Sequence, residues 1–293
     1  MIRKKVRVKK LKIHINEFLK DNIYKNKVIG CCPRCGGKKC IKHGNYKGIQ
    51  RYKCKACNKT FSKTTNSLWS YSKKDLSIWI KFIELMMERK SLRFCANKLS
   101  INLATAFYWR HKILHVLNKN SIPEKLEGNV HINKTILKEN FKGSRNITSK
   151  QRRNIWVIAA KGDEDTMLAI PAFKDFRDWN LFKRKIYSKI EINAYMVPYE
   201  DRYIRIKSEK HNKGLLKKVK PASDNRIKYI IVNLRKWIGK FRGVATKYLE
   251  GYLSFFVLFN LDRKMDYIDI ISKVHLENLF IKIKEIRMQQ LTI

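Results

Sequence analysis

The chain has 293 residues, 44% of them hydrophobic, enough to bury a core and to divide into two compact units. Lys and Arg number 66 against 24 Asp and Glu, a formal net charge of +42, which calls for a polyanionic partner and favours nucleic acid over membrane. No apolar run reaches the ~18–20 residues that cross a bilayer. The basic start "MIRKKVRVKKLK" lacks the apolar region and cleavage site of a secretory signal, so the expected location is the cytoplasm, with no membrane partner.

Residues 1–30 read as a basic N-terminal segment. Six of the seven cysteines then fall between Cys31 and Cys57. An odd, clustered set points to metal, not to a disulfide framework. "CPRCGG" and "CKACNK" set Cys32 and Cys35 against Cys54 and Cys57. The two-residue spacer lets both thiolates of a pair reach one tetrahedral ion. The chain must turn tightly after each pair, where Gly36 and Asn58 tolerate left-handed backbone. The stretch between the pairs reads as two short strands around a turn, so residues 31–62 form a zinc ribbon holding a structural Zn²⁺. Four protein ligands leave no open position for catalysis. Cys31 and Cys40 are spare and His43 is a weaker substitute, so a ligand swap stays open. Arg51, Lys53 and Lys55, with Tyr52 and Lys59, suit the ribbon to phosphate contacts.

Residues 72–120 show helical periodicity. "SKKDLSIWIKFIELMMERK" opens with Ser72 and Asp75 in capping-box spacing and carries Leu76, Trp79, Ile83 and Met86 as one apolar stripe. Ser91 then caps a helix bearing Leu92, Cys95, Ala96 and Leu99. "SIN" at 100–102 turns, and Leu103 to Leu114 forms the following helix. This is the pattern of a DNA-binding helix-turn-helix, with Asn102, Thr105, Tyr108 and Arg110 as candidate contacts. An ordinary helical bundle is the competing reading. Cys95 lies on the apolar stripe and reads as a buried hydrophobe.

Pro123 and Gly128 punctuate a polar run at 118–129, the expected boundary. Beyond it, "LEGNVHINKTIL" alternates Val130, Ile132 and Ile136 with polar residues, the signature of a half-buried strand. "NIWVIAAK" (154–161), a turn at "GDED" and "TMLAIPA" (166–172) give two more strands. A helix over "KDFRDWNLFKRKIYSKI", a strand "EINAYMV" and a helix around 224–240 follow. "YLSFFVLFNL" reads as a core helix, and 261–293 as a C-terminal segment with an amphipathic helix.

Five segments together resemble the insertion-sequence DDE transposases of the ISXO-like branch: "CPRCGGKKCIKHGNYKGIQRYKCKACNKTFS", "SLRFCANKLSINLATAFYWRHKIL", "LEGNVHINKT", "FKGSRN" and "LRKWIGKFRGVATKYLEGYL". The resemblance implies an α/β chain: an N-terminal zinc ribbon and helix-turn-helix, then a ribonuclease-H-like mixed-sheet domain over 126–260. It implies double-stranded DNA at transposon ends as partner and leaves a homo-oligomer open. The family's chemistry needs two carboxylates and a third acidic or amide residue to hold two Mg²⁺ ions for in-line attack on a phosphodiester.

In this sequence those positions fall at Asn133, Ala194 and Lys228, with Lys134 beside the first. Lysine opposes Mg²⁺ electrostatically, so the expectation is a DNA-binding protein that does not bind Mg²⁺ and is defective in strand cleavage and transfer. Glu200 and Asp201 are the best substitutes for the lost carboxylates. Asp224 and Glu191 stand behind them, while Asp163, Glu164 and Asp165 read as a solvated turn. An active transposase using displaced carboxylates, and a zinc-ribbon RNA-binding or transcription-associated protein, are the alternatives.

Overall fold

The computed structural model describes residues 29–46, 49–121, 123–141, 152–163, 166–174, 178–215, 226–241, 243–260, 270 and 279–289. The expectations for residues 1–28, Glu164, Asp165, Asp224, "FKGSRN" beyond Phe141 and most of 261–278 lie outside them. The chain divides into two compact units, Met1–Val116 with Asp266–Lys282, and Leu117–Met265 with Ile283–Ile293.

The first unit opens with a three-stranded antiparallel sheet of β1 (Cys40–Tyr46), β2 (Ile49–Cys54) and β3 (Thr60–Ser62), in that order. β1 and β2 are the two strands expected between the cysteine pairs; β3 adds a third. Next come α1 (Leu76–Met87), α2 (Leu92–Lys98) and α3 (Leu103–Ser121). Their core is aromatic: Trp79 stacks on Trp109 with centroids 3.7 Å apart, and Phe82 meets Trp109 edge-on at 5.5 Å. The cap of α1 differs from the expected capping box. Asp75 Oδ1 accepts from Ser77 N at 2.8 Å, while Ser72 Oγ accepts from the indole Nε1 of Trp79. Aspartate is a strong N-cap by itself. Ser91 caps α2 as expected, through Phe94 N. α3 continues to Ser121, beyond the expected Leu114 and into the polar run.

The second unit is built on a mixed four-stranded sheet of β4 (Asn129–Lys138), β5 (Asn154–Lys161), β6 (Met167–Lys174) and β7 (Tyr195–Pro198), ordered β6-β5-β4-β7. β4, β5 and β6 pair antiparallel, and β7 lies parallel to β4. Gly128 leads into β4 at φ +70, a left-handed conformation, and a Cβ there would collide with the Asp163 carboxylate. Glycine is therefore required at this entry. α4 (Trp179–Lys185) separates β6 from β7. α5 (Arg202–Asn212), α6 (Arg226–Lys240) and α7 (Leu249–Asn260) come after β7, and α8 (Ile283–Met288) belongs to the same unit. α7 buries Leu249, Tyr252, Leu253 and Phe255 to Leu258, the core helix foreseen in "YLSFFVLFNL". α5 was not foreseen. Val130, Ile132, Trp156, Ile158, Phe173, Phe182, Met196 and Ile204 form one core cluster.

Candidate metal centre and nucleic-acid interface

The cysteine pairs converge. One sulfur each from Cys32, Cys35, Cys54 and Cys57 lies within 4.8 Å of every other. Sγ of Cys32 is 3.8 Å from that of Cys57, and Sγ of Cys35 is 3.6 Å from that of Cys54. A tetrahedron with Zn–S bonds of about 2.3 Å has edges of roughly 3.8 Å, so the donor set fits Zn²⁺. Local backbone sets this geometry. Gly36 N donates to Cys32 O at 2.9 Å, and Cys54 N donates to Lys59 O at 3.1 Å. Gly36 and Asn58 take φ of +76 and +56, the left-handed turns their positions predict.

Cys40 faces Cys54 across the β1–β2 ladder, but its thiol donates to Gly37 O, and Cys31 is exposed. Neither joins the four-sulfur group. Backbone N–H groups of Cys57 and Ala56 bring the Cys54 thiol down to about 6, against an opposing push from burial. Cys35 goes the other way: the Gly37 N–H favours its thiolate, but hydrogen bonding with the Cys57 and Cys54 sulfurs pushes it up to about 12. Thiols crowded in this way lose their protons most readily to a shared cation.

Arg51, Lys53 and Lys55 all sit on the ribbon. Lys55 is exposed, Lys53 is half-buried, and Arg51 Nη2 donates to Thr60 Oγ1 at 2.9 Å. In the helical part, Ser100 turns left-handed at φ +49 between α2 and α3, and Asn102 Oδ1 accepts from Ala104 N, starting α3. Asn102 is exposed, and Thr105 and Tyr108 are half-buried one and two turns along. Arg110 departs from the expectation. It is 4% exposed, and its Nη2 donates to Lys90 O at 2.7 Å, tying α3 to the chain after α1. Arg93 and Lys98 on α2 are further exposed cations at the same helix pair, outside the contacts expected from the sequence. Cys95 is fully buried, as expected.

Asn133 is buried in the centre of β4, and its Oδ1 accepts from Lys134 N at 2.7 Å. The parallel register of β7 on β4 separates Ala194 from Asn133. Asn129 pairs with Tyr195 and Ile132 with Pro198, and Tyr199 N donates to Ile132 O at 3.0 Å. Ala194 therefore lies at the far end of β7, buried in the core with its carbonyl 2.7 Å from His211 Nε2. Tyr199 follows next in the register, and Asp201 meets the Lys134 side chain on the sheet face opposite Asn133.

Glu200 is exposed at φ +55, so of the two substitutes only Asp201 is buried. Asp201 caps α5 through Ile204 N and stands 2.6 Å from Lys134 Nζ. α6 offers no carboxylate at all: its sequence is RIKYIIVNLRKWIGK, with Lys228 exposed. Arg235 Nε from the same helix donates to Thr135 Oγ1 at 2.6 Å. Asp163 is held by Asn129 at the other end of β4, and Glu191 is 4.0 Å from Lys125. Among the described residues, the four cysteines are the group of three or more potential ligand side chains that gathers around one point. No described helix is long and apolar enough to cross a membrane.

No family model matches the chain. Over 113 residues, 38% of its length, the chain is 28% identical to an uncharacterized protein in transposable element ISH50 of Halobacterium salinarum. The match spans the same share, 38%, of that relative.

Proposed function

We propose that this chain is a transposase-related protein that binds double-stranded DNA at transposon ends through its first unit and does not cut or join it. The observation that carries the second half is neutral Asn133 in the centre of β4, while Asp201, the buried carboxylate that follows β7, pairs with Lys134 on the opposite face of the sheet. A two-metal site needs carboxylates that converge with their charge available to the ions. Here one carboxylate faces an ammonium, the central strand residue is an amide, and the late helix brings only cations. Mg²⁺ would meet positive charge where the family supplies negative charge.

Three antiparallel strands, a helix, and a fourth strand parallel to the first support a ribonuclease-H-like reading of the second unit. The relative in a transposable element supports the transposase-related part, and the net charge of +42 supports a nucleic-acid partner. Zn²⁺ on Cys32, Cys35, Cys54 and Cys57 orders the ribbon, and Arg51, Lys53 and Lys55 contact phosphates from it. Asn102, Thr105 and Tyr108 at the start of α3 read the major groove.

A second reading rests on Asp201, the buried carboxylate just past β7: an active nuclease would release it from Lys134. Competition binding tests the leading reading. Duplex DNA should displace a labelled duplex at lower concentration than RNA of the same sequence, and Thr105→Ala with Tyr108→Ala should erase that preference. Stronger displacement by RNA would instead support the transcription-associated alternative.

A further inference from the structure

Helix α6 buries Ile227, Ile230, Ile231, Leu234 and Trp237 and lies against β4 and β5. Its opposite face carries Lys228, Tyr229, Val232, Lys236, Gly239 and Lys240, all exposed. Tyr229 is 66% exposed and Val232 41%, and Lys236 and Lys240 follow them at the helical repeat. A ring, a branched apolar side chain and two ammonium groups thus share one stripe. The side chains of Lys228, Tyr229, Lys236 and Lys240 enter no hydrogen bond or ion pair among the described residues. The helix holds no carboxylate to balance them. Gly239 lies on the same face, and a Cβ there would meet nothing within 4 Å. Packing within the chain therefore does not ask for glycine, which weakens a helix, and its missing side chain lets a partner approach the backbone.

We propose that this face of α6 is a second contact surface for the duplex DNA of the proposed function, on which it rests. Lys228, Lys236 and Lys240 neutralise backbone phosphates, and the Tyr229 hydroxyl donates to one. Contacts of this kind carry no sequence information, so the surface adds affinity and orientation to what the first unit reads. From Lys228 to Lys240 the helix rises about 18 Å. One strand of B-DNA presents about five phosphates over that length. Charge chooses the partner. A protein docking on Tyr229 and Val232 would have to desolvate three ammonium groups that this helix cannot pair, whereas a phosphate strand engages all three.

Titration of the full chain with duplex DNA over a range of salt tests the surface. Lys228→Gln combined with Lys236→Gln and Lys240→Gln should lower the salt slope by about two to three, equally for transposon-end and unrelated duplexes. Tyr229→Ala should weaken binding about fivefold and leave the slope unchanged, since that contact carries no charge. Lys183→Gln combined with Lys210→Gln and Lys213→Gln removes the same charge from exposed positions elsewhere on the second unit. This control should lower the slope by less than about one. Every substituted position is exposed, so each variant should keep the wild-type urea midpoint. An unchanged slope in the α6 triple variant, an equal fall in the control, or full affinity in Tyr229→Ala overturns the proposal while the DNA-binding function stands. A wild-type chain that binds no duplex overturns both.

Discussion

Lys134 Nζ stands 2.6 Å from Asp201 Oδ2, and the same ammonium lies 3.6 Å from the centre of the Trp156 ring. Three charges and dipoles are thereby matched at once: the Asp201 carboxylate, the lysine and the ring face. Asp201 Oδ1 also accepts from Ile204 N at the start of α5, so the residue joins β4 to that helix.

Asp201→Asn separates the two roles, because asparagine caps a helix about as well as aspartate. The variant keeps the cap but leaves Lys134 without its partner. It should lose about 2–3 kcal/mol in urea unfolding. Lys134→Met combined with Asp201→Asn should lose less than the sum of the single changes, as partners in one pair do. Strict additivity would show that the pair does not couple.

Metal content discriminates among the ribbon cysteines. Wild type, Cys31→Ser and Cys40→Ser should each carry one equivalent of zinc by elemental analysis. Cys35→Ser and Cys54→Ser should each fall well below it, since a four-sulfur site loses a quarter of its donors. Stripping the zinc with a chelator should unfold the ribbon and weaken DNA binding. Zinc loss in Cys40→Ser would mean that the spare thiol is a ligand after all.

Tyr108 and Arg110 should behave oppositely. Tyr108→Ala is expected to weaken duplex DNA binding with little change in stability. Arg110→Ala removes a buried donor to Lys90 O and should cost about 1–3 kcal/mol of stability. Its effect on DNA affinity, measured where the variant is folded, should be the smaller of the two.

Local chemistry made the ribbon legible in the sequence. Cysteine spacing and the left-handed tolerance of Gly36 and Asn58 are properties of a few neighbouring residues, and the structure shows both. The strands of the second unit were legible too, because alternation and β-branched runs mark them. α5 was not, since it buries only Ile204 and Ser208 and is anchored by the Asp201 cap. In the sequence that cap is an acidic residue behind a strand, a pattern that a metal ligand and a helix cap share. The distance of Ala194 from Asn133 is likewise set by a long-range contact. Parallel pairing between β4 and β7 fixes which residue stands beside Asn133, and no local pattern encodes that register. Arg110 looked like a contact residue on a helix whose burial is set by tertiary packing.

The most direct measurement of the central claim places purified protein with a labelled transposon-end duplex and Mg²⁺ or Mn²⁺, and scores binding and strand breakage in one sample. A shifted, salt-sensitive complex in which every strand stays intact is expected. Nicking or joining that disappears in Asp201→Ala or Glu200→Ala would contradict it and establish the displaced-carboxylate nuclease in its place.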